Sequence, residues 1–339
     1  MKKNIDIFYC ADNKFVPFLA TSIASILKNS NYDENIAIYV LNADITKENK
    51  ELLNSLSSIK SYRLEFLLIE SNIFEGYKKP DYINSSAFLY RYLIPKIKPN
   101  IKKALYLDCD TIIKQSLWEL FNTNIKNYYI AGVEDFHWMM AFKRLKINSS
   151  IKEPYFNSGV LLINCEKWRE DKLYTKLIEI TNNLNPKVLE QLDQDAINIV
   201  CEGKKLVLPP KYNLLSCWND NNMFTSYKYI DLEKAIKDPV IIHYSGPIKP
   251  WMEKFFPVDD FAWEWHRYVQ LTPFYDKNFR KRVSKRCKEL VKLEEEIKEN
   301  IIIKFFIDLY KFPGQLKELI KIHKEYKSRK RVFGEKTSL

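Results

Sequence analysis

The chain has 339 residues, 46% of them hydrophobic, with 20 Phe, 21 Tyr and 7 Trp, which is enough to bury one large α/β domain or two smaller ones. Only 7 Gly argue against Gly-rich repeats, and six scattered Cys without a Cys-x-x-Cys pair indicate buried thiols in a reducing compartment. The net charge is +11, and the lack of an apolar leader or of ~20 consecutive apolar residues argues against a transmembrane helix and favours a cytoplasmic protein.

The first 250 residues alternate short apolar runs with helical patterns, which predicts a mostly parallel sheet flanked by helices on both faces. Thr46 is expected to cap one helix, and Pro95 to end another. The predicted strands are 5–10, 36–41, 64–69, 104–107, 129–133, 159–163 and 240–243. The predicted helices are 17–28, 47–58, 85–93 and 193–200.

The most informative stretch is the acidic pair Asp108 and Asp110, which directly follows the strand predicted over 104–107. Residues i and i+2 of an extended strand face the same way, so the two carboxylates point to one side. Like charges at the end of a buried strand repel unless a cation offsets them. The pair therefore indicates either a divalent metal that holds a phosphorylated ligand or two solvated aspartates.

Other polar residues also follow predicted strands. They are 11–13 after the first strand, 134–135 after the strand over 129–133, and His243 at the end of the last. Ligands bind at the carboxyl ends of the strands in such sheets. The first strand–helix turn lacks Gly-x-Gly-x-x-Gly, and no Gly-x-x-x-x-Gly-Lys-Ser/Thr occurs, so a dinucleotide or P-loop site is not expected.

Four segments, 105–120, 155–164, 192–198 and 242–251, together resemble glycosyltransferase family 8 in order and spacing. The resemblance covers about residues 3–270. The family includes bacterial lipopolysaccharide galactosyl- and glucosyltransferases and glycogenin. It implies a single GT-A domain, placed here over 1–274, that uses a UDP-sugar and Mn²⁺, with Mg²⁺ as the alternative ion. It also implies transfer of the sugar with retention of anomeric configuration.

The resemblance also assigns roles to individual residues. Asp108, Asp110 and His243 would ligate the metal, and a cation such as Mn²⁺ tolerates one imidazole among oxygens. Lys249 would contact a phosphate, and Gly246 would let the backbone approach it. The nucleotide and donor site would comprise Ala11, Asp12, Asn13, Phe15, Arg91, Asp108, Cys109, Asp110, Asn157, Gly246 and Lys249.

Three residues are expected to act on the transferred sugar: Asp135, Asp193 and Gln194, with Asn157 beside them. Gln194 would lie where a double-displacement nucleophile is expected, yet an amide is a poor nucleophile. We therefore expect front-face attack, with Gln194 stabilising positive charge electrostatically. Asp195 is expected to be structural, as an acid favoured near a helix N-terminus.

Aromatic residues near these motifs leave two interpretations open. Four tryptophans could either form a platform on which a sugar stacks or pack in the core or at its rim. His137 and Trp138, which follow Asp135, would fit a loop that contacts the acceptor. The platform candidates are Trp218, Trp251, Trp263 and Trp265.

Residues 275–339 carry most of the positive charge, a surplus of +9 with 19 Lys and Arg against 10 Asp and Glu. Their apolar residues recur at helical spacing, which fits either a helical extension packed on the body or a helix on an anionic membrane. The expected partners are a UDP-hexose, a glycan or glycolipid acceptor and the inner face of the plasma membrane, with no nucleic acid. The alternatives are a basic-tail nucleic-acid binder with a non-catalytic body and a sugar nucleotidyltransferase.

Overall fold

The computed structural model describes residues 2–74, 77, 85–135, 141, 145, 154–183, 191–216, 226–246, 249–251 and 261–275. The chain divides into two units, Met1–Asp276 and Lys277–Leu339, and the described residues belong to the first. The helices and the membrane contact predicted for 275–339 lie, apart from residue 275, outside the described residues, and they stay a prediction together with the boundary at 274.

A seven-stranded sheet forms the centre of the first unit, with strand order β3-β2-β1-β4-β7-β6-β8. All neighbours pair in parallel except where β7 pairs with β4 and β6. The strands are β1 (Lys3–Cys10), β2 (Glu34–Asn42), β3 (Arg63–Leu68), β4 (Lys103–Leu107), β6 (Ile130–Glu134), β7 (Phe156–Asn164) and β8 (Lys205–Val207). The mostly parallel α/β fold predicted from the sequence is confirmed.

Three short strands form a second sheet, in the order β5-β10-β9. It contains β5 (Thr111–Ile113), β9 (Leu214–Leu215) and β10 (Ile241–His243). β10 runs antiparallel to β5 and parallel to β9. Because β5 follows the acidic pair and β10 ends in His243, this pairing brings distant parts of the chain together.

Helices cover the sheets, and two apolar clusters fill the space between the layers. The helices are α1 (Val16–Asn29), α2 (Lys47–Asn54), α3 (Ile94–Ile97), α4 (Trp118–Phe121), α5 (Cys165–Glu170), α6 (Leu173–Asn183), α7 (Asp193–Val200), α8 (Tyr229–Lys237) and α9 (Ala262–Val269). α1 contributes ten buried residues, more than one apolar stripe requires, because it packs between sheet and neighbouring elements. Among the described helices, none is long and apolar enough to cross a bilayer.

Most predicted elements agree with the structure to within one or two residues. Thr46 caps α2 as predicted, since its Oγ1 accepts a hydrogen bond from Asn49 N at 3.3 Å. The prediction that Pro95 ends a helix is wrong. Ala87–Leu93 is a 3₁₀ helix that continues into α3, and Pro95 lies in the first turn of α3, where a missing N–H costs no helical hydrogen bond.

Candidate active site

Asp108, Asp110 and His243 converge at the carboxyl end of β4, and one ligand atom from each lies within 4.8 Å of the others. Nε2 of His243 is 3.3 Å from Oδ1 of Asp110 and 3.9 Å from Oδ2 of Asp108. The imidazole is 3% exposed. A donor set of two carboxylates and one imidazole suits Mn²⁺ or a similar divalent ion.

The other carboxylate oxygens of the pair are held by donor groups of the chain. Oδ1 of Asp108 accepts from Arg91 Nη2 at 3.0 Å and from the Tyr106 hydroxyl at 2.5 Å. Oδ2 of Asp110 accepts from Lys249 Nζ at 2.5 Å. One oxygen of each aspartate is thus left facing the imidazole, which is the arrangement that a shared cation needs.

The pKa of Asp110 is held well below its ordinary range. Burial alone would raise it, but the Lys249 ammonium and then His243 together act more strongly in the opposite direction. The carboxylate is therefore ionised at neutral pH, as a metal ligand must be.

Gly159 on β7 makes room for the convergent ligands. A Cβ at this position would lie 2.8 Å from Oδ2 of Asp108 and 2.9 Å from Nδ1 of His243, and closer still to Cε1 of the imidazole. The backbone N–H of Asp108 donates to the Gly159 carbonyl at 2.8 Å. Only glycine permits this approach, so the space between β4, β7 and β10 fits the implied metal-ligand set.

Arg91 links the acidic pair to the start of α7. Besides Asp108, its guanidinium contacts Asp193 Oδ2 at 3.1 Å and donates to the carbonyl of Ser158 at 2.8 Å. It lies over the Tyr106 ring, 4.1 Å from the centroid. Arg91 is only 3% exposed. It is therefore a buried hub, meaning one side chain that contacts Asp108, Asp193 and Ser158 together, and not the surface arginine that a helical position alone would suggest.

Asp193 follows Leu192, whose φ of 52° and ψ of −117° are unfavourable for a side chain other than glycine. Such strain is often found at functional sites. Burial raises the pKa of Asp193 to about 6, against the opposing effect of Arg91. The neighbouring Asp195 is fully buried and accepts from the Tyr155 hydroxyl at 2.6 Å and from Gln191 N, which agrees with the structural role expected for it.

The residues predicted around the transferred sugar lie together. Oδ2 of Asp135 accepts from Asn157 Nδ2 at 2.9 Å and from Gln194 Nε2 at 3.2 Å. Oε1 of Gln194 accepts from the backbone N–H of Ser158 at 2.9 Å. Asp135, Asn157 and Gln194 are all buried, so the Gln194 amide is fixed before any substrate binds.

The turn after β1 is organised by its own polar groups. Oδ1 of Asp12 accepts from the backbone N–H of Lys14 and Phe15, and Oδ1 of Asn13 accepts from Thr46 N and Asn49 Nδ2. The Ala11 backbone N–H donates to Leu41 O. Phe15 is 44% exposed, so a nucleotide base could stack on its ring. The Asp12 and Asn13 oxygens named above already accept hydrogen bonds from within the chain.

The structure adds detail on three further residues that the sequence analysis named. The Cys109 side chain packs in the apolar core and donates to Cys10 O, so only its backbone can contribute to a nucleotide site. Gly246 has a φ of +100°, which favours glycine, and no described atom lies within 4 Å of the position that a Cβ would occupy there, so the approach of its backbone to a phosphate stays a prediction. The ring of Trp251 stacks on that of Phe18 with 3.9 Å between the ring centroids, which favours a packing role over a sugar-stacking platform.

Trp265 is buried at 2% exposure and lies 5.3 Å from Trp251, so it also packs. His137, Trp138, Trp218 and the Trp263 side chain lie outside the described residues.

Sequence reasoning missed Gly159, Tyr106 and Asn213, the last of which contacts His243 Nδ1 at 3.0 Å. Gly159 lies in segment 155–164, which carries the family resemblance, and this membership could have identified it as a site residue.

In open α/β sheets ligands bind outside the carboxyl ends of the strands, which is where the acidic pair lies. Residues 6–254 match the model of glycosyl transferase family 8, and the chain belongs to this family. A protein of Haemophilus influenzae described as a putative glycosyltransferase is 32% identical over 305 residues, 85% of this chain and 89% of the relative.

A second curated relative and a solved structure are also similar to this chain. The lipopolysaccharide 1,2-glucosyltransferase of Escherichia coli is 28% identical over 256 residues, 74% of each chain. The solved structure of the galactosyltransferase LgtC with donor and acceptor sugar analogues matches with a TM-score of 0.67 and 22% identity, covering 82% of this chain and all of that one. At this identity the structural match shows the GT-A fold alone.

Proposed function

We propose that the protein is a metal-dependent retaining hexosyltransferase that moves galactose or glucose from a UDP-sugar to a glycan acceptor. The convergence of Asp108, Asp110 and His243 carries this proposal. A glycan of lipopolysaccharide or another cell-surface polysaccharide is the acceptor class that we favour, because one relative is a lipopolysaccharide glucosyltransferase.

Asp108, Asp110 and His243 would hold a divalent ion, for which Mn²⁺ is our first choice and Mg²⁺ the second. When bound, such an ion acts as a Lewis acid that stabilises negative charge on a departing diphosphate. Lys249 lies 2.5 Å from Asp110 and would add a second positive charge next to the phosphates. Arg91 keeps Asp108 and Asp193 in place through its charge-assisted contacts.

The arrangement of Gln194 favours front-face substitution. The bond between the anomeric carbon and the β-phosphate oxygen breaks, and the acceptor oxygen attacks from the same face. Its proton passes to the departing phosphate oxygen. Gln194 would stabilise positive charge on the sugar without forming a bond, since its amide is held by Ser158 N and Asp135. Asp135 and Asp193 would accept hydrogen bonds from sugar hydroxyls, which selects among sugars.

The test is hydrolysis of UDP-galactose and UDP-glucose, each with Mn²⁺, with Mg²⁺ and with a chelator. We expect activity with one donor that the chelator abolishes and Mn²⁺ restores. Asp110→Asn should lose this activity while its thermal unfolding stays cooperative. Asp171→Asn is the matched control, because Asp171 accepts from Tyr129, which precedes β6 at the end of the strands opposite the acidic pair. Full activity in chelator, or in Asp110→Asn, would contradict the proposal.

The stereochemical part has its own test. A covalent sugar adduct on Asp193 or another carboxylate, detected by mass spectrometry with a slow donor analogue, would refute front-face attack. We also propose that the enzyme works in the cytoplasm or on the inner face of the plasma membrane. Binding of the full chain to anionic vesicles, compared with a chain that lacks residues 275–339, tests the membrane contact.

A further inference from the structure

An unbroken chain of side-chain hydrogen bonds runs from the imidazole of His243 to the amide of Gln194. Nδ1 of His243 lies 3.0 Å from Oδ1 of Asn213, and Nδ2 of Asn213 donates to Oδ1 of Asn157 at 2.9 Å. Nδ2 of Asn157 donates to Oδ2 of Asp135, which also accepts from Gln194. All five residues are buried, so water does not compete for these groups.

Two groups at fixed positions decide the direction of every bond in this chain. The backbone N–H of Gly159 can only donate, and it does so to Oδ1 of Asn157 at 3.0 Å. The carboxylate of Asp135 accepts from the opposite side of the same amide. Asn157 must therefore present its oxygen to Asn213, and Asn213 must donate a hydrogen bond to it from its NH₂ group.

The orientation of Asn213 in turn fixes the imidazole. With Nδ2 directed at Asn157, Asn213 presents only Oδ1, an acceptor, to His243. Nδ1 of His243 must then carry a proton. Nε2 is left directed at Oδ1 of Asp110 and Oδ2 of Asp108, and a metal-binding histidine is oriented by the hydrogen bond of its other nitrogen in this way.

We propose that Asn213 is a positioning residue, which keeps His243 protonated on Nδ1 so that Nε2 serves as the metal ligand. The same proposal makes Asp135 the common orienting group for His243, through the two asparagines, and for Gln194 directly. It rests on the proposed function only in the statement that Nε2 binds a divalent ion. The hydrogen-bonding role of Asn213 can be tested without any metal.

The first measurement is NMR of the ¹⁵N-labelled histidine rings in the metal-free full-length protein, which has four histidines. We expect a protected Nδ1–H resonance that disappears in His243→Gln, which assigns it. It should also disappear in Asn213→Leu, which removes the acceptor at similar volume. It should persist in Asn213→Asp, which keeps an acceptor.

The second measurement is the affinity of the same variants for Mn²⁺ alone. We expect Asn213→Leu to bind about 10–100-fold more weakly than the wild type, and Asn213→Asp to lie closer to the wild type than to the leucine variant. Asn164→Leu is the matched control. It removes another buried asparagine, at the end of β7, bonded to Lys167 N and Ile125 O, and should lower stability without changing Mn²⁺ affinity.

The outcomes separate the two proposals. If the wild type does not bind Mn²⁺ but shows the protected Nδ1–H, the proposed function fails and the role of Asn213 in holding His243 stands. If the wild type binds Mn²⁺ and Asn213→Leu keeps both the resonance and the affinity, the inference is overturned while the proposed function stands. Equal weakening of Mn²⁺ binding in Asn164→Leu would also overturn it.

Discussion

Replacing Gly159 by Ala should disable the metal site through packing alone, without removing any ligand. The new Cβ would stand 2.8 Å from Oδ2 of Asp108. Ordinary contact begins at 3.4 Å, so this oxygen must retreat by roughly 0.6 Å and the closer imidazole by more, while metal–ligand distances tolerate only ~0.2 Å. We therefore expect Mn²⁺ affinity to fall at least ~10–100-fold and the free energy of unfolding to fall by about 1–3 kcal/mol.

Gly132→Ala is the matched control for this prediction. On the neighbouring strand β6, its Cβ would meet Phe156 Cδ2 at 2.8 Å and Leu161 Cδ2 at 3.2 Å, which overpacks the apolar core and not the metal site. Mn²⁺ titration and urea unfolding of both variants separate the two effects. A Gly159→Ala protein that binds Mn²⁺ like the wild type, or a Gly132→Ala protein that loses affinity to the same degree, would contradict this prediction.

Three further variants test other parts of the buried network. Arg91→Met should lower the free energy of unfolding by ~3–5 kcal/mol, because it leaves the Asp108 and Asp193 carboxylates without their buried cation; a loss under about 1 kcal/mol in urea unfolding would argue against the hub. Tyr155→Phe should cost about 1.5–3 kcal/mol by losing its hydrogen bond to Asp195, and a changed Mn²⁺ affinity would contradict its purely structural role. Asp193 should make the metal-free protein less stable as pH rises. The folded form holds this proton up to about pH 6 and the unfolded chain releases it near 3.8, so stability from this group is highest below about pH 4 and declines by roughly 3 kcal/mol towards pH 7. Asp193→Asn should remove that part of the decline, and identical pH profiles for the two proteins would refute the assignment.

The central sheet and the acidic pair could be predicted because their information is local. β1, β2 and β4 are short apolar runs bounded by polar residues, and their parallel pairing follows from the helices between them. Asp108 and Asp110 stand directly at the end of such a run. Thr46 could be identified as a cap because its hydroxyl accepts within its own turn.

The antiparallel β7 and the buried hub could not be read in the same way. β7 is buried at all nine positions, so its sequence shows no alternation that would distinguish antiparallel from parallel pairing. Arg91 looks like a surface residue in sequence because nothing near it reveals the carboxylates, which come from residues 17 and 102 positions further along. Likewise, Asn213 has no local pattern that connects it to His243.

The small second sheet explains why the metal ligands meet at all. His243 pairs with Thr111 and Ile242 with Ile112, so the register of β10 against β5 sets His243 next to the residue that follows Asp110. The Tyr244 N–H donates to the Asp110 carbonyl at 3.0 Å and extends that register by one residue. Because side chains alternate along a strand, a slip by one position would turn the imidazole to the opposite face and away from both carboxylates. The three residues of β10 therefore determine where His243 lies relative to the acidic pair. β10 pairs on its other side with β9, and Asn213 directly precedes Leu214, the first residue of β9. The strand that carries His243 belongs to this small sheet, and the side chain that orients its ring directly precedes another strand of it, so the metal site depends on this sheet as much as on the acidic pair.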